Sequence, residues 1–427
     1  MELELDVLGQ QPGLLQIYTQ ISLCFSVPDA SLHEEIINTL AKGLERLSDS
    51  FPWIAGQVDR KGYQITPLDK SPALIVKDLR NEMTIKRLRD AEFPMKMLEE
   101  ELIAPRRTLA GESSEPNAVF LVQVNWIEGG LILTYNGQHA AMDMVGQGQV
   151  IGLLSKACRN EPFTEEELAS NNLNRTKVVP LLGQDYKPKQ DAGTYSRPIA
   201  PASDALWAYF SFDARSLHDL KVEAEKTKDE STPFISTDDA VSAFIWKSTT
   251  KARIPRLHAS DNTKFCRAVD VRSAVGVPKS YPGLLQIMTY HSGRVQCIAD
   301  APLGVIAADL RSKLDPDELR RRTREFATSI AKTIDRASIS LTPGLYPGSD
   351  VQLSSWAKVN YWGMDFGLSL GKPESVRRPR FTPFEGLIYL MPKAPNGEIS
   401  MAISLRREDM EMLKADEEFS RYARFIG

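Results

Sequence analysis

The chain has little of what many binding and catalytic sites are built from. Of 427 residues only four are cysteine and five are histidine. Cys24, Cys158, Cys266 and Cys297 are far apart, with no C-x-x-C pair and no histidine at ligand spacing. That excludes a zinc ribbon or a disulfide framework and reads as buried thiols of a reducing compartment. No H-E-x-x-H occurs, so no metal is expected; no G-x-x-x-x-G-K-[ST] phosphate loop and no G-x-S-x-G elbow occur either. The start, Met1-Glu2-Leu3-Glu4, lacks the basic and apolar stretches of a secretory signal, and no apolar run approaches ~18 residues. A cytoplasmic protein with no membrane partner is expected. Charge of one sign is also missing: 52 Lys and Arg against 56 Asp and Glu leave a formal net charge of −4. Such a surface has no general attraction for a polyanion, so no nucleic-acid partner is expected.

What is present is ordinary globular composition, with 42% hydrophobic and 25% charged residues, in a chain long enough for two to four domains at roughly 100 to 200 residues each. Ser31 and Glu34 read as a capping box before a helix with Ile36, Leu40 and Leu47 at its inner spacing. AVFLVQVNWI (118–127) and LILTYN (131–136) read as two strands joined at Glu128-Gly129-Gly130, and VGQGQVIGLLSKA after Asp143 reads as a helix. Residues 181–203 carry three prolines and neither periodicity, the composition of a crossover between domains 1–180 and 204–427. Further on, LWAYFSF and KFCRAVDVR read as strands, 236–253 as a helix capped by Ser236, 302–335 as helical, VQLSSWAKV, EGLIYLMP and EISMAISL as strands, and 406–424 as one amphipathic helix. Interleaved strands and helices make an α/β architecture. Pro12–Ile17 and Pro282–Ile287 share PGLLQI, which is either a trace of duplicated halves or chance.

Among the histidines, His33, His218 and His258 lie in polar or charged surroundings, whereas His139 follows an apolar strand and precedes two alanines. Asp143, four residues on, reads either as the organiser of a histidine base or as a helix-capping carboxylate beside a partly buried histidine. Asp365-Phe366-Gly367 resembles a kinase triplet, but the Gly-rich loop, strand lysine and H-R-D loop are absent. Lys372, Arg377, Arg378 and Arg380 read either as a cluster facing an anion or, more simply, as a solvated basic loop.

HxxxD at 139–143 with DFGLS at 365–369, and FPWIAGQ, STDDAVSAFIWK, CRAVDVRS and LSSW between and around them, resemble the BAHD acyl-CoA-dependent acyltransferases. Within that family, GGLILTYNGQHAAMDMVGQ and YPGLLQIMTYH resemble, nearly end to end, the fungal branch that acetylates trichothecene toxins. The resemblance implies two chloramphenicol-acetyltransferase-like domains, each a mixed β-sheet with flanking helices, and an active-site channel at their interface. It implies acetyl-CoA as co-substrate, no metal, a small trichothecene alcohol as the other partner, and a monomer. His139 matches the general base and Asp143 a structural residue paired with Arg272; Asp365 and Gly367 match an architectural loop. Ser354, Ser355 and Trp356 match the strand facing the reaction centre, and Ser236 and Thr237 a helix start near CoA. Two departures stand out, Ser369 where glycine is usual and Gln57 where arginine is common. A serine at Ser369 costs energy if the loop needs a positive φ there. Other readings are acyl transfer to another secondary alcohol, a carrier-protein-dependent condensation-like domain, disfavoured by Gln138 in place of a second histidine, and a silent binder of hydrophobic ligands.

Overall fold

The computed structural model describes residues 3–27, 29–68, 74–111, 116–187, 204–339 and 344–427. Two mixed sheets with helices packed on them, and a small antiparallel sheet of Leu3–Glu4, Gln64–Thr66 and Gln57–Asp59, make up the architecture, in line with the expected α/β class. In the first, five strands run in the order Ser375–Arg377, Tyr18–Ser26, Gly130–Gln138, Phe120–Ile127, Ile75–Asp78. Its two central strands form the expected antiparallel hairpin, and Gly129 supplies the positive φ of 69° at the turn. Every residue of both strands is buried, which is why they read as apolar runs and not as an alternation. The helix His33–Ser50 presents Ile36, Leu40 and Leu47 inward and packs on the helix Met144–Cys158.

The second sheet has seven strands, in the order Gln286–Arg294, Asn262–Asp270, Val351–Ser355, Leu387–Leu390, Ile399–Arg406, Ala205–Phe212, Arg424–Phe425. Val351–Ser355 is parallel to both neighbours and the other pairings are antiparallel. The helices Ala214–Thr227, Thr237–Arg253 and Leu303–Ser312 pack against one another and join the sheet in one apolar cluster.

Three local expectations are corrected. Ser31 and Glu34 form no capping box: the Asp29 carboxylate accepts the Ser31 N–H at 2.8 Å and caps a short 3-10 turn, Ala30–Leu32, that feeds the helix. The single terminal helix is two, Arg407–Ala415 and Glu417–Tyr422, because Asp416 accepts the Phe419 N–H at 2.9 Å and starts a new helix. The basic loop is solvated only in part, at Lys372 and Arg380, whereas Arg377 and Arg378 are buried. Ser375–Arg377 adds to the edge of the first sheet, and the buried Arg377 guanidinium donates to the carbonyls of Phe93 at 3.1 Å and Glu92 at 3.3 Å. A piece of the C-terminal half thus completes the N-terminal sheet. Of the expected crossover, 188–203 lies outside the described residues; before it, the chain lies along the helix Pro316–Lys332, where Lys332 donates to the carbonyls of Gly183, Gln184 and Tyr186.

Candidate active site

The strand Gly130–Gln138 ends at His139, a tight turn follows, and the helix Met144–Cys158 begins at once. The His139 N–H donates to the Ile17 carbonyl at 2.9 Å, and Gln138 Nε2 donates to the Leu14 and Leu15 carbonyls, so the turn is fixed to the first PGLLQI segment. His139 Nδ1 lies 3.3 Å from the Met142 carbonyl. With the ring proton donated there, Nε2 keeps the lone pair. Burial lowers the His139 pKa, with Arg378 adding to the effect, while the Met142 carbonyl and the Asp143 carboxylate oppose it. A neutral imidazole is the result.

Asp143 does not touch the ring. It is the N-cap of the helix, accepting the Gly146 N–H at 2.8 Å, and its other contacts are Arg272 Nη1 at 3.0 Å, Arg272 Nη2 at 2.9 Å and the Leu285 N–H at 2.9 Å. Arg272, also fully buried, reaches the carbonyls of Tyr281 at 2.8 Å and Gly283 at 2.6 Å. These contacts are those of a helix cap and a buried ion pair, and none of them is to the imidazole. The pair joins the two halves, because Asp143 opens a helix of the first and Arg272 follows a strand of the second.

His139 lies in the wall of a cavity of about 570 Å³ that draws its lining from both large sheets. The wall is mostly apolar, including Leu14, Ile17, Met144, Leu284, Phe326 and Phe384, as expected of a site for a rigid apolar ligand. Ser354 and Trp356 face it, and Ser355 does not. Strand alternation turns Ser355 to the other face, where its hydroxyl donates to Asp238 at 2.7 Å. Trp356 Nε1 donates to Ser354 Oγ at 3.0 Å, so the indole N–H is spent and the Ser354 hydroxyl hydrogen is left to point elsewhere.

The other expected residues stand apart from the cavity. Ser236 forms a capping box with Asp239 at the start of Thr237–Arg253. The carboxylates of Asp238 and Asp239 occupy that first turn, with Asp239 paired to Arg267 at 3.0 Å and to Arg311. Neither Ser236 nor Thr237 lines the cavity. Asp365 accepts the Gly367 N–H at 2.8 Å and its carbonyl accepts the Ser155 hydroxyl at 2.6 Å, while Phe366 stacks on Tyr135. The loop has φ of 66° at Gly367 and 59° at Ser369. Ser369 therefore does sit in the left-handed region.

Sequence reasoning placed Arg378 in a basic cluster but not in this wall; it lines the cavity although only 2% exposed. Its guanidinium lies 3.8 Å from the Phe381 ring centroid and donates to the Pro379 carbonyl and the Thr108 hydroxyl. The run of arginines reads as solvent-facing, and only the strand pairing of the preceding residues reveals the burial. Among the described residues no group of three or more His, Cys, Asp or Glu could hold a metal ion, and no helix is long and apolar enough to cross a membrane.

Comparison with known proteins bears on this geometry. Residues 17–158 match the family model of the trichothecene 3-O-acetyltransferase-like N-terminal domain. The trichothecene 3-O-acetyltransferase TRI101 of Fusarium sporotrichioides is 54% identical over 100% of this chain and 97% of its own length. An O-acetyltransferase of Cryptosporiopsis is 49% identical over 99% of this chain and 97% of its own. The crystal structure of F. sporotrichioides TRI101 with coenzyme A and T-2 superposes with a TM-score of 0.96 at 54% identity, covering 100% of both chains. That of F. graminearum TRI101 with coenzyme A and deoxynivalenol gives 0.95 at 49% identity, again over 100% of both. Vinorine synthase, at 17% identity, shares the fold with a TM-score of 0.71 over 99% of this chain and 94% of its own.

Proposed function

The chain belongs to the trichothecene 3-O-acetyltransferase family, and from that premise we propose that it transfers acetyl from acetyl-CoA to the C3 hydroxyl of a trichothecene alcohol. The observation that carries this reading is His139 in the wall of an apolar cavity, with Nδ1 held by the Met142 carbonyl and Nε2 free. Nε2 takes the proton of the acceptor hydroxyl as its oxygen attacks the thioester carbonyl, and returns it to the departing CoA thiolate. No acyl-enzyme forms. The negative charge that develops on the carbonyl oxygen is met by the Ser354 hydroxyl, polarised by the Trp356 N–H behind it. Asp143 and Arg272 keep the turn in place, and the Asp365 and Gly367 loop shapes the surface beside it.

The reading includes two units, 1–180 and 204–427, joined by 181–203, with the channel between them; a cavity wall drawn from both halves supports it. It also includes a cytoplasmic monomer, for which the four unpaired cysteines favour a reducing compartment and gel filtration checks the monomer.

The test is CoA thiol release with deoxynivalenol as acceptor, read beside product mass. The wild-type protein is expected to add one acetyl group, and His139→Ala to lose roughly 10²- to 10⁴-fold in rate. Consumption of acetyl-CoA with no gain in toxin mass would sink the acceptor assignment, and full activity in His139→Ala would sink the base.

A further inference from the structure

Two buried carboxylates, not one, grip the turn that carries His139. Asp143 holds it from the helix side. From the other side comes Asp6, 1% exposed, which accepts from Arg175 Nη1 at 2.8 Å, from the Leu284 N–H at 3.1 Å and from the Tyr281 hydroxyl. Arg175 Nη1 also donates to the Ala141 carbonyl at 2.8 Å, in the middle of the turn from His139 to Asp143. The guanidinium is seated 4.5 Å from the centroid of the Trp53 ring, so its direction is set by stacking as well as by hydrogen bonds.

Both carboxylates also hold the second PGLLQI segment. Asp6 takes the Leu284 N–H, Asp143 takes the neighbouring Leu285 N–H, and Arg272 takes the Gly283 carbonyl. The first PGLLQI segment receives the His139 N–H on Ile17. The two copies thus flank one turn, and Leu14, Ile17, Leu284, Gln286 and Ile287 of the pair continue into the cavity wall. Little slack remains. A β-carbon on Gly9 would collide with the Ala140 carbonyl, one on Gly146 with the Pro282 carbonyl and one on Gly283 with the Asp6 carboxylate.

We propose that Asp6 and Arg175 are positioning residues for the transfer reaction, a second ionic clamp that fixes the Ala141 carbonyl and with it the direction of His139 Nε2. The inference rests on His139 being the base. A buried ion pair gains little net stability over apolar packing of the same volume. A displacement of about 1 Å in a reacting group costs on the order of 10²-fold in rate. Geometry of the turn is therefore the quantity the pair governs.

The experiment compares kcat and KM for both substrates in Asp6→Asn, Arg175→Met, Arg175→Lys and Tyr281→Phe, per folded molecule and below each variant's melting temperature. Expected is a fall in kcat of about tenfold or more for Asp6→Asn and Arg175→Met, with KM for acetyl-CoA nearly unchanged. The double variant should be no worse than the worse single, since both remove one clamp. Arg175→Lys, which keeps a cation beside Asp6, should recover part of the rate. Tyr281→Phe removes one hydroxyl and decides the matter if the others do not fold: a loss of about threefold or more supports the clamp. Wild-type kcat in the folded variants, with only the melting temperature lowered, would overturn it. His139→Ala run in parallel separates the two ideas. If it stays active the base assignment fails, and if it is dead while the clamp variants are normal only the clamp fails.

Discussion

The histidine at the centre of the site is held neutral by its surroundings, and this has a measurable sign. Burial disfavours the imidazolium, so the folded pKa lies below the ordinary value of ~6.5. The proposed base is competent when unprotonated; kcat/KM should climb with pH to a plateau, with its midpoint below ~6.5, and stay flat above. Arg378 depresses the same group and Asp143 raises it. Arg378→Gln should therefore move the midpoint upward, and a midpoint that stays put would show that its charge does not reach the ring. His139 was legible in the sequence because one imidazole stood between an apolar strand and a helix. The contacts of Asp143 were legible only in part: spacing allowed an organiser or a cap, and its four donors are the helix N-terminus, Arg272 twice and the Leu285 N–H. The burial of Arg378 was not legible, since local sequence cannot tell a buried guanidinium from a solvated one.

Elements were legible where their signals were local. The hairpin at Glu128–Gly130 and the helix capped by Ser236 stand where periodicity and turn chemistry put them. The terminal helix was misread because amphipathic spacing continues across Asp416, while its carboxylate caps a fresh start. The strand Ser375–Arg377 was missed because its partner lies some 350 residues earlier. At Ser369 the loop does take the positive φ whose cost the sequence raised. A non-glycine residue at φ 59° carries a left-handed penalty of ~1–2 kcal/mol, partly offset because glycine is the more flexible residue when unfolded. Ser369→Gly should thus raise unfolding free energy by up to ~1 kcal/mol in urea titration. A decrease would mean that the serine makes a compensating contact. At the junction of elements, Arg272→Met leaves the buried Asp143 carboxylate without its cation and should cost ~3–5 kcal/mol.

At the scale of the whole molecule, the two sheets share too much to behave as separate bodies. The Asp143–Arg272 and Asp6–Tyr281 contacts cross between them, Ser375–Arg377 is lent from one to the other, and one apolar cluster draws residues from both. Thermal unfolding followed by tryptophan fluorescence and by circular dichroism should therefore give one coincident transition. Two separated transitions would mean that the interface is weaker than its contacts imply.

The borrowed strand also imposes an order on the birth of the molecule. Until Ser375–Arg377 leaves the ribosome, Tyr18–Ser26 is an unpaired edge with its row of donors and acceptors open. At about 5–20 residues per second that exposure lasts on the order of tens of seconds. The N-terminal half must wait, half-finished and prone to pair with a neighbour, while most of the C-terminal half is translated. Yield in a foreign host should consequently depend on chaperone supply during synthesis more than on the stability of the finished enzyme.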